Sequence, residues 1–330
     1  MDIERARERL TGCYVTIPTM FDDQDLSLNL AGMQEHVRFL IDGGLGEGNC
    51  VILSGGGAGD FSTLSISERL EVAGAVLAAA DGKIPLTVGA QTTSTRELVE
   101  LARGAQQLGA DYIQVSPPFY FGHTEDDFFE YITAASEAAP DVGMIIYNTY
   151  WTSMGVSYGM VERMLELPTM VGLKWSSPGT EFFGFERVIQ QFGDRVSIID
   201  NQLRFVTSHM LGARGIEVHI CNHWPAWGAR TWRLLEEKRY EEVQAELMKV
   251  VEPYYALWQE MEQFTSGDGY LDKLCMELVG LDSSRCRPPT RDVREKFREA
   301  ARAMLIRCGT PNVVGVGDEA GVVAQPKQMK

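Results

Sequence analysis

The sequence predicts an α/β fold, a (β/α)8 TIM barrel followed by a C-terminal helical extension. Short β-branched runs alternate with amphipathic helical stretches, and eight such strand–helix units fit into about 230 residues. The strand runs are mostly apolar throughout, which is typical of a parallel sheet covered by helices. A doubly wound open sheet is the alternative, because strand positions alone do not show whether the sheet closes.

The predicted elements follow one another along the whole chain. Strands are expected near residues 14–17, 50–54, 84–89, 112–116, 143–147, 170–174, 196–200 and 215–220. Helical patterns lie between and after them, near residues 29–43, 66–81, 95–109, 125–138, 157–166, 181–192, 203–211 and 225–237. Three more helices are expected at about 240–263, 269–279 and 290–305. We therefore expect a barrel over residues 1–238, a three-helix extension over 239–308 and a loose tail over 309–330.

The composition excludes several classes of partner. The chain of 330 residues has a net charge of −16 and a pI of about 4.8, which disfavours nucleic acid and anionic membrane surfaces. No apolar stretch is long enough to span a bilayer, and the first residues do not form a signal peptide. The six cysteines are scattered and form no Cys-x-x-Cys pair, so we expect free thiols in a cytoplasmic protein.

No motif predicts a metal or a cofactor. His219 and His223 are four residues apart, but in a strand-like context rather than on one face of a helix, which disfavours zinc. The glycine-rich run 55–59 is not followed by Gly-Lys-Ser/Thr and lacks the Gly-x-Gly-x-x-Gly spacing. This run therefore requires another explanation.

Lys174 is the most informative residue, because it is a lone cation at the end of an apolar run. Apolar surroundings disfavour its charged form and make its amine nucleophilic, and such amines form Schiff bases with carbonyl substrates. Tyr147 ends the preceding apolar run and could move protons nearby. The simpler interpretation is a solvated lysine at the end of a strand.

Other polar and aromatic residues follow predicted strands at the end where barrels place their chemistry. They are the glycine-rich run and Asp60, residues 117–121, residues 200–202 and residues 222–224. Each has an ordinary alternative: Tyr147 could be an amphipathic rim residue, and Asp200 could cap a helix. Their common location at one end of the barrel favours a functional site.

The motifs, in their order and spacing, resemble the dihydrodipicolinate synthase/N-acetylneuraminate lyase family of class I, pyruvate-dependent aldolases. The resemblance covers about residues 10–308. Val15–Phe21 stands in place of the family's Thr-Pro-Phe, Gly56–Leu64 in place of Gly-Thr-Thr-Gly-Glu-x-x-Thr-Leu, and Pro118-Phe-Tyr120 matches Pro-Tyr-Tyr. Tyr147-Asn148 matches Tyr-Asn-x-Pro, and Gly172-Leu-Lys174 matches Gly-x-Lys. The segments Gly212–Gly215 through Asn222, and Lys273 to Pro289, follow the closing pattern of the family.

The resemblance implies a role for each matched residue. Lys174 would form an iminium with pyruvate or another 2-keto acid, and Tyr147 would move protons to and from the substrate. The backbone N–H groups of Gly57 and Ala58 would hold the substrate carboxylate. Tyr120 would be lent to the site by a neighbouring subunit, in a homotetramer built from dimers.

Two departures from the family pattern restrict the range of reactions expected of this chain. Gly57 and Ala58 replace two threonines, so the hydroxyl that links the tyrosines in a proton relay is missing. Thr152 replaces the arginine that binds the second substrate's carboxylate in dihydrodipicolinate synthases. The loop before it, which contains Thr149 and Trp151, also replaces a proline-containing segment. We therefore expect a divergent member that is not a true dihydrodipicolinate synthase.

Two groups of residues give different indications of the substrate. The aromatic residues Phe119, Phe121, Tyr150, Trp151 and Trp224 favour a bulky or aromatic aldehyde. Asp200, Asn201 and Gln202 lie where sugar-acid lyases of the family bind hydroxyl groups, and we assign Asp200, Asn201, Thr149, Trp151 and Asn222 to substrate binding.

Glu217 is a carboxylate where the family usually has an apolar residue facing the barrel interior near the lysine. There it could stabilise an iminium or replace the missing hydroxyl as an acid or base, and we include it in the substrate-binding set. The alternative is a structural ion pair with Arg214, Arg204 or His219.

The predicted function is that of a class I lyase that forms or cleaves a C–C bond between pyruvate and an aldehyde, including hydratase-aldolases with an aromatic aldehyde portion. A 2-keto-3-deoxy sugar-acid dehydratase using the same iminium is the nearest alternative. A non-catalytic keto-acid sensor is the alternative from another class, and the retention of Lys174 and Tyr147 argues against it.

Overall fold

The computed structural model describes residues 2–315, so most of the predicted tail, residues 316–330, lies outside the described residues. Eight parallel strands form a closed barrel in the order β1 to β8, and β1 pairs with β8 through Gly12 and Gly215. The predicted barrel is therefore confirmed, and the open sheet is wrong. The strands are β1 Gly12–Thr16, β2 Cys50–Ser54, β3 Leu86–Gly89, β4 Tyr112–Val115, β5 Gly143–Tyr147, β6 Met170–Trp175, β7 Ser197–Asp200 and β8 Gly215–Glu217.

Helices surround this barrel and continue beyond it. The first nine are α1 Ile3–Arg9, α2 Leu30–Asp42, α3 Ile66–Ala80, α4 Thr95–Leu108, α5 Glu125–Ala138, α6 Tyr158–Met164, α7 Gly184–Phe192, α8 Phe205–Leu211 and α9 Pro225–Glu236. The extension contains α10 Tyr240–Glu246, α11 Glu252–Met261, α12 Tyr270–Leu278 and α13 Arg294–Cys308. Short 3-10 turns lie at Phe61–Thr63 and Ile220–Asn222.

Several observed elements differ from the predicted ones. The first predicted helix of the extension is divided by a π-helical segment, Leu247–Val251, just before Pro253. The eighth strand ends at Glu217 rather than at residue 220 and continues into the 3-10 turn. The last helix begins at Arg294, after the predicted start at residue 290.

Helix α1 was not predicted, because its sequence is mostly charged and has no apolar stripe. It lies against the amino ends of the strands. The Tyr112 hydroxyl donates to the Ala6 carbonyl oxygen over 2.7 Å, and Arg9 pairs with Asp111 over 2.5 Å. The helix therefore covers this end of the barrel and leaves the carboxyl end for a site.

The apolar core has two layers, as expected when strands are buried on both faces. The larger layer lies between the strands and the helices. The smaller layer fills the barrel interior with Leu10, Tyr14, Val51, Leu53, Tyr112, Ile145, Val171 and Ile199. The start of α3 is fixed by side chains, since Ser65 and Glu68 form a reciprocal capping box.

The extension packs against the carboxyl end of the barrel. Lys273 of α12 forms a buried ion pair with Asp60, with Nζ 2.6 Å from Oδ2. Asn222 donates to Asp272 Oδ1 over 3.1 Å. These contacts hold the loop between α11 and α12 beside the barrel opening. No helix within residues 2–315 is both long enough and apolar enough to cross a membrane.

Candidate active site

A cavity of about 870 Å³ opens at the carboxyl ends of the strands. Its wall includes eight of the predicted site residues, and it is completed by residues from the extension. The predicted residues on the wall are Lys174, Tyr147, Tyr120, Gly57, Glu217, Asn201, Thr149 and Trp151.

Lys174 lies on β6 with its side chain buried inside this cavity. Its Nζ has no hydrogen bond within residues 2–315, and its nearest carboxylate oxygen is Glu217 Oε1 at 3.8 Å. Burial lowers the pKa of the Lys174 amine, although Glu217 and Asp268 act in the opposite direction. The result is a larger fraction of neutral, nucleophilic amine.

Tyr147 pairs in register with Lys174 across β5 and β6, and Lys174 Nζ lies 4.5 Å from the centre of the Tyr147 ring. The Tyr147 hydroxyl oxygen accepts a hydrogen bond from Asn201 Nδ2 over 3.1 Å. Burial raises the pKa of the Tyr147 phenol well above its ordinary value, and Glu217 and Asp268 add to this effect. The phenol therefore keeps its proton and can donate it toward a substrate.

The glycine-rich run after β2 forms a turn at the cavity wall, with positive φ angles of 68° at Gly55 and 55° at Asp60. Gly57 is exposed to the cavity, whereas Ala58 is buried behind it. Among the described residues, neither the Gly57 N–H nor the Ala58 N–H donates a hydrogen bond. Free main-chain donors of this kind suit a carboxylate.

Glu217 begins a chain of charged groups that leads from Lys174 into the extension. Its Oε1 lies 3.4 Å from His219 Nε2, and His219 Nδ1 lies 2.8 Å from Asp272 Oδ2. Burial alone would lower the pKa of His219, but the Asp272 and Glu217 carboxylates outweigh it and raise the pKa to about 10. His219 is therefore an imidazolium that links two buried carboxylates.

Of the three partners suggested for Glu217, the structure brings only His219 to it. Arg214 pairs with Glu236, and Arg204 pairs with Glu186. Glu217 thus contacts both the predicted Schiff-base lysine and a structural ion pair.

Asp200 and Asn222 do not lie in the cavity, which differs from their predicted role in substrate binding. Asp200 is fully buried and accepts hydrogen bonds from the Gln202 N–H over 2.6 Å and the Ser208 hydroxyl over 2.8 Å. Its carboxylate therefore joins the end of β7 to α8 through Ser208, although the N-cap of α8 is Arg204 and not Asp200. Asn222 Nδ2 donates to the Thr16 carbonyl oxygen and to Asp272, so it joins β1 to the extension.

Tyr120 lies at the mouth of the cavity and is 84% exposed, with a positive φ of 89°. The adjacent Phe121 is 65% exposed. Of the other aromatic candidates, Phe119 and Trp151 line the cavity, whereas Phe121, Tyr150 and Trp224 do not.

Sequence reasoning did not identify several residues of the cavity wall. Asp268 and Trp258 belong to the extension and were predicted only as part of helical or loop segments. His219 was considered only as a zinc ligand or an ion-pair partner. No local pattern marks the residues of the extension, because its packing brings them to the site from far along the chain. The missed residues are His219, Tyr255, Trp258, Glu262 and Asp268.

The charge of the cavity wall is unusual for an anion-binding site. Its acidic residues are Glu217, Glu262 and Asp268, and its basic residues within the described chain are Lys174 and His219. Thr152 lines the wall and donates to the Thr149 carbonyl oxygen over 2.9 Å. No arginine lines this wall within residues 2–315.

A closed barrel with a buried lysine and a tyrosine at its carboxyl end defines a class of (β/α)8-barrel enzymes. The chain belongs to the dihydrodipicolinate synthetase family, whose model matches residues 9–307. This finding confirms the resemblance of the motifs. The family comprises lyases of the pyruvate-dependent, class I aldolase type.

Individual relatives agree with this assignment. An uncharacterized DapA-like lyase of Thermococcus kodakarensis is 26% identical over 304 residues, covering 90% of this chain and 99% of its own. The 4-hydroxy-tetrahydrodipicolinate synthase of Methanopyrus kandleri is 26% identical over 307 residues, covering 91% of this chain and 97% of its own.

Solved structures support the fold. The dihydrodipicolinate synthase of Acinetobacter baumannii, in complex with pyruvate, gives a TM-score of 0.80 at 23% identity and covers 91% of this chain and 99% of its own. The wild-type sialic acid aldolase of Ruminococcus gnavus gives a TM-score of 0.79 at 21% identity, covering 93% of this chain and 100% of its own.

Proposed function

We propose that the protein is a Schiff-base lyase that cleaves or forms a C–C bond between pyruvate and an aldehyde. The observation that carries the proposal is the buried Lys174 amine, which has a lowered pKa and no hydrogen-bonded partner among residues 2–315, beside the protonated Tyr147. The relatives that are solved with pyruvate support a keto acid as the first substrate.

The neutral Lys174 amine attacks the ketone carbon of the keto acid, and loss of water gives an iminium. In the cleavage direction, the C3–C4 bond breaks and its electron pair moves toward the iminium, which leaves an enamine and an aldehyde. Tyr147 is placed to donate a hydrogen bond to the substrate oxygen, oriented by Asn201. The free N–H groups of Gly57 and Ala58 would hold the carboxylate.

The wall of the cavity favours an aldehyde portion that is bulky and carries no carboxylate. Aromatic surface is supplied by Phe61, Phe119, Trp151, Tyr255 and Trp258. An anionic aldehyde would face acidic side chains, and no arginine of residues 2–315 lines the cavity to bind its carboxylate. Thr152, at the position of the family's arginine, offers only a hydroxyl. These features support a hydratase-aldolase or aldolase with an aromatic aldehyde, and they disfavour dihydrodipicolinate synthase activity.

The alternative of a sugar-acid dehydratase has less support from the cavity. Asp200 is engaged by α8, and Gln202 Nε2 donates to the Ser177 carbonyl oxygen over 2.8 Å. Asn201 is engaged with Tyr147 and with the Ser176 hydroxyl. All three residues assigned to hydroxyl binding in this alternative are therefore already hydrogen-bonded within the protein.

We further propose that the protein works as a homotetramer built from dimers. The exposed Tyr120 and Phe121 rings lie at the mouth of the cavity, and their contact with a second copy would bury apolar surface beside the site. The unpaired cysteines are all buried, which supports a reducing, cytoplasmic setting.

The test of this function is borohydride reduction with pyruvate present, followed by peptide mapping. We expect a pyruvyl adduct on Lys174 and none after Lys174→Ala. Lys273 serves as an internal control, because it is also buried but lies 2.6 Å from Asp60 Oδ2. An adduct on another lysine would contradict the assignment.

Turnover separates a lyase from a keto-acid sensor. A panel of aldehydes, aromatic ones first, should give C–C bond formation with pyruvate. Tyr147→Phe should keep the adduct and slow turnover by roughly a hundredfold. Thermal stabilisation by pyruvate without turnover of any aldehyde would favour the sensor.

A further inference from the structure

Asp268 lies in the loop between α11 and α12, and its carboxylate covers Gly57 of the glycine-rich turn. A Cβ atom added at Gly57 would lie 2.5 Å from Asp268 Oδ2. The carboxylate thus fills the volume in which a side chain at position 57 would begin. Position 57 is one of the two places where the family resemblance predicts a threonine, so the hydroxyl lost there is replaced in space by a carboxylate.

The loop that carries Asp268 is fixed at both ends and along its contact with the turn. A Cβ atom added at Gly269 would lie 2.4 Å from the Ala58 carbonyl oxygen, so the two backbones are in direct contact. Before Asp268, Thr265 exchanges two hydrogen bonds with the Arg291 backbone. After it, the Lys273–Asp60 ion pair fixes α12. The backbone that carries Asp268 is therefore held in place against the glycine-rich turn.

Asp268 differs from the buried carboxylates around it, Asp60, Asp272 and Glu217, in having no partner among residues 2–315. Asp60 pairs with Lys273, Asp272 pairs with His219, and Glu217 lies near both Lys174 and His219. Asp268, by contrast, makes no hydrogen bond or ion pair within residues 2–315. Burial raises its pKa, with Glu217 and Asp272 adding to the effect and His219 and Lys174 opposing it. The raised pKa makes the Asp268 carboxylate a stronger base than an ordinary exposed carboxylate.

We propose that Asp268 is the base that removes a C3 proton from the pyruvate iminium on Lys174. The C3–H bond breaks and an O–H bond forms on the Asp268 carboxylate. The C–H electron pair becomes the C2=C3 double bond, and the C2=N pair moves to nitrogen, which neutralises the iminium. The product is the enamine that attacks the aldehyde. This inference rests on the proposed Schiff base.

The two other candidates for this base are less suited. Tyr147 keeps its proton, because its phenol pKa is raised far above neutral pH, so it acts as a hydrogen-bond donor. Glu217 lies between Lys174 Nζ at 3.8 Å, the atom that becomes the iminium nitrogen, and the His219 imidazolium, whose Nε2 is at 3.4 Å. Glu217 is therefore placed to stabilise the iminium cation, whereas the Asp268 carboxylate has no partner among residues 2–315.

Hydrogen–deuterium exchange at the pyruvate methyl group tests the proposal without knowledge of the aldehyde. Wild-type protein in D2O should catalyse loss of the methyl proton signal, measured by NMR. Asp268→Asn should lower the exchange rate by about a hundredfold or more, as expected for loss of a general base, while borohydride still traps pyruvate on Lys174. Glu260→Gln removes an exposed charge from α11 outside the cavity and should exchange at the wild-type rate.

A second variant separates a chemical role from a structural one. Asp268→Ala should lose exchange in the same way, and added formate should restore part of it, because a small carboxylate can occupy the space left. An exchange rate in Asp268→Asn equal to that of the wild type would overturn the proposal. The proposal would also be overturned if Glu217→Gln lost the exchange while Asp268→Asn kept it. Loss of pyruvate trapping in Asp268→Asn would overturn it as well. Absence of trapping in the wild type would instead refute the proposed function itself.

Discussion

Replacement of His219 by phenylalanine would test whether the carboxylates of the extension and the barrel depend on one imidazolium. His219 contacts Asp272 over 2.8 Å and Glu217 over 3.4 Å, and the side chain of Asp272 is 0% exposed. Its ring also stacks on Tyr254, with centroids 5.9 Å apart. Phenylalanine keeps the stacking and removes both hydrogen-bonding nitrogens, so the substitution isolates the charge.

The expected loss of stability is large because one partner of a buried pair disappears while the others stay buried. Such a change typically costs about 3–5 kcal/mol in the free energy of unfolding. For a chain of this size, this corresponds to a decrease in Tm on the order of 5–10 °C.

The stability difference should also depend on pH. The pKa of His219 in the folded state is raised to about 10, above its ordinary value of about 6.5. The native state therefore binds this proton more tightly than the unfolded state. The contribution of His219 is complete below pH 6.5 and decreases as the pH rises toward 10, so the difference between the two proteins should narrow over that range.

Urea denaturation of both proteins between pH 6 and pH 9.5 measures this difference. His209→Phe is the matched control, because His209 pairs over 3.1 Å with Glu236, whose side chain is 44% exposed. Solvent-exposed pairs contribute about 0–1 kcal/mol, so the control should lose much less stability. Equal losses in the two variants, or a His219→Phe difference that does not change with pH, would refute the reasoning.

Two further substitutions test residues that the sequence assigned to the substrate. Burial raises the pKa of Asp200 to about 6, so its ionisation lowers stability as the pH rises from about 4 to about 6. Asp200→Asn should therefore be more stable than the wild type above pH 6 but not at pH 4, as measured by thermal melts at both pH values. Pyruvate trapping should be unchanged, and its loss would show that Asp200 belongs to the substrate site. Trp151 lines the cavity and packs edge-to-face on Tyr147, with centroids 5.7 Å apart. Trp151→Ala should raise KM for aromatic aldehydes by up to about tenfold, as loss of an aromatic contact typically does, and leave the pyruvate adduct intact; an unchanged KM would exclude the aromatic-wall interpretation.

The barrel was predictable from the sequence because its information is local. Each strand is a short β-branched run and each covering helix is an amphipathic stretch, so the periodicity indicates the elements and their order. The positions of Lys174 and Tyr147 follow from the same pattern, since each ends a strand and parallel strands end on one side. Helix α1 was missed because its charged sequence has no apolar stripe.

The roles of Asp200 and Asn222 depended on contacts that the sequence does not contain. Both follow or end strands, as site residues do, yet their polar atoms bind α8, β1 and Asp272. A polar residue at a strand end can turn toward the substrate or stabilise the next element. Only the three-dimensional environment decides between these two directions.

The sequence by itself determined the barrel, its family and the lysine and tyrosine that define the class of chemistry. Tertiary structure decided how the site is completed, because it places Asp268 over Gly57 and His219 between Glu217 and Asp272. Asp268 and Asp272 belong to the extension, so their contacts with Gly57 and His219 form only when the extension packs on the barrel. Burial in that packed state also determines their charges, since the energy of an ionised group depends on groups that are distant in sequence.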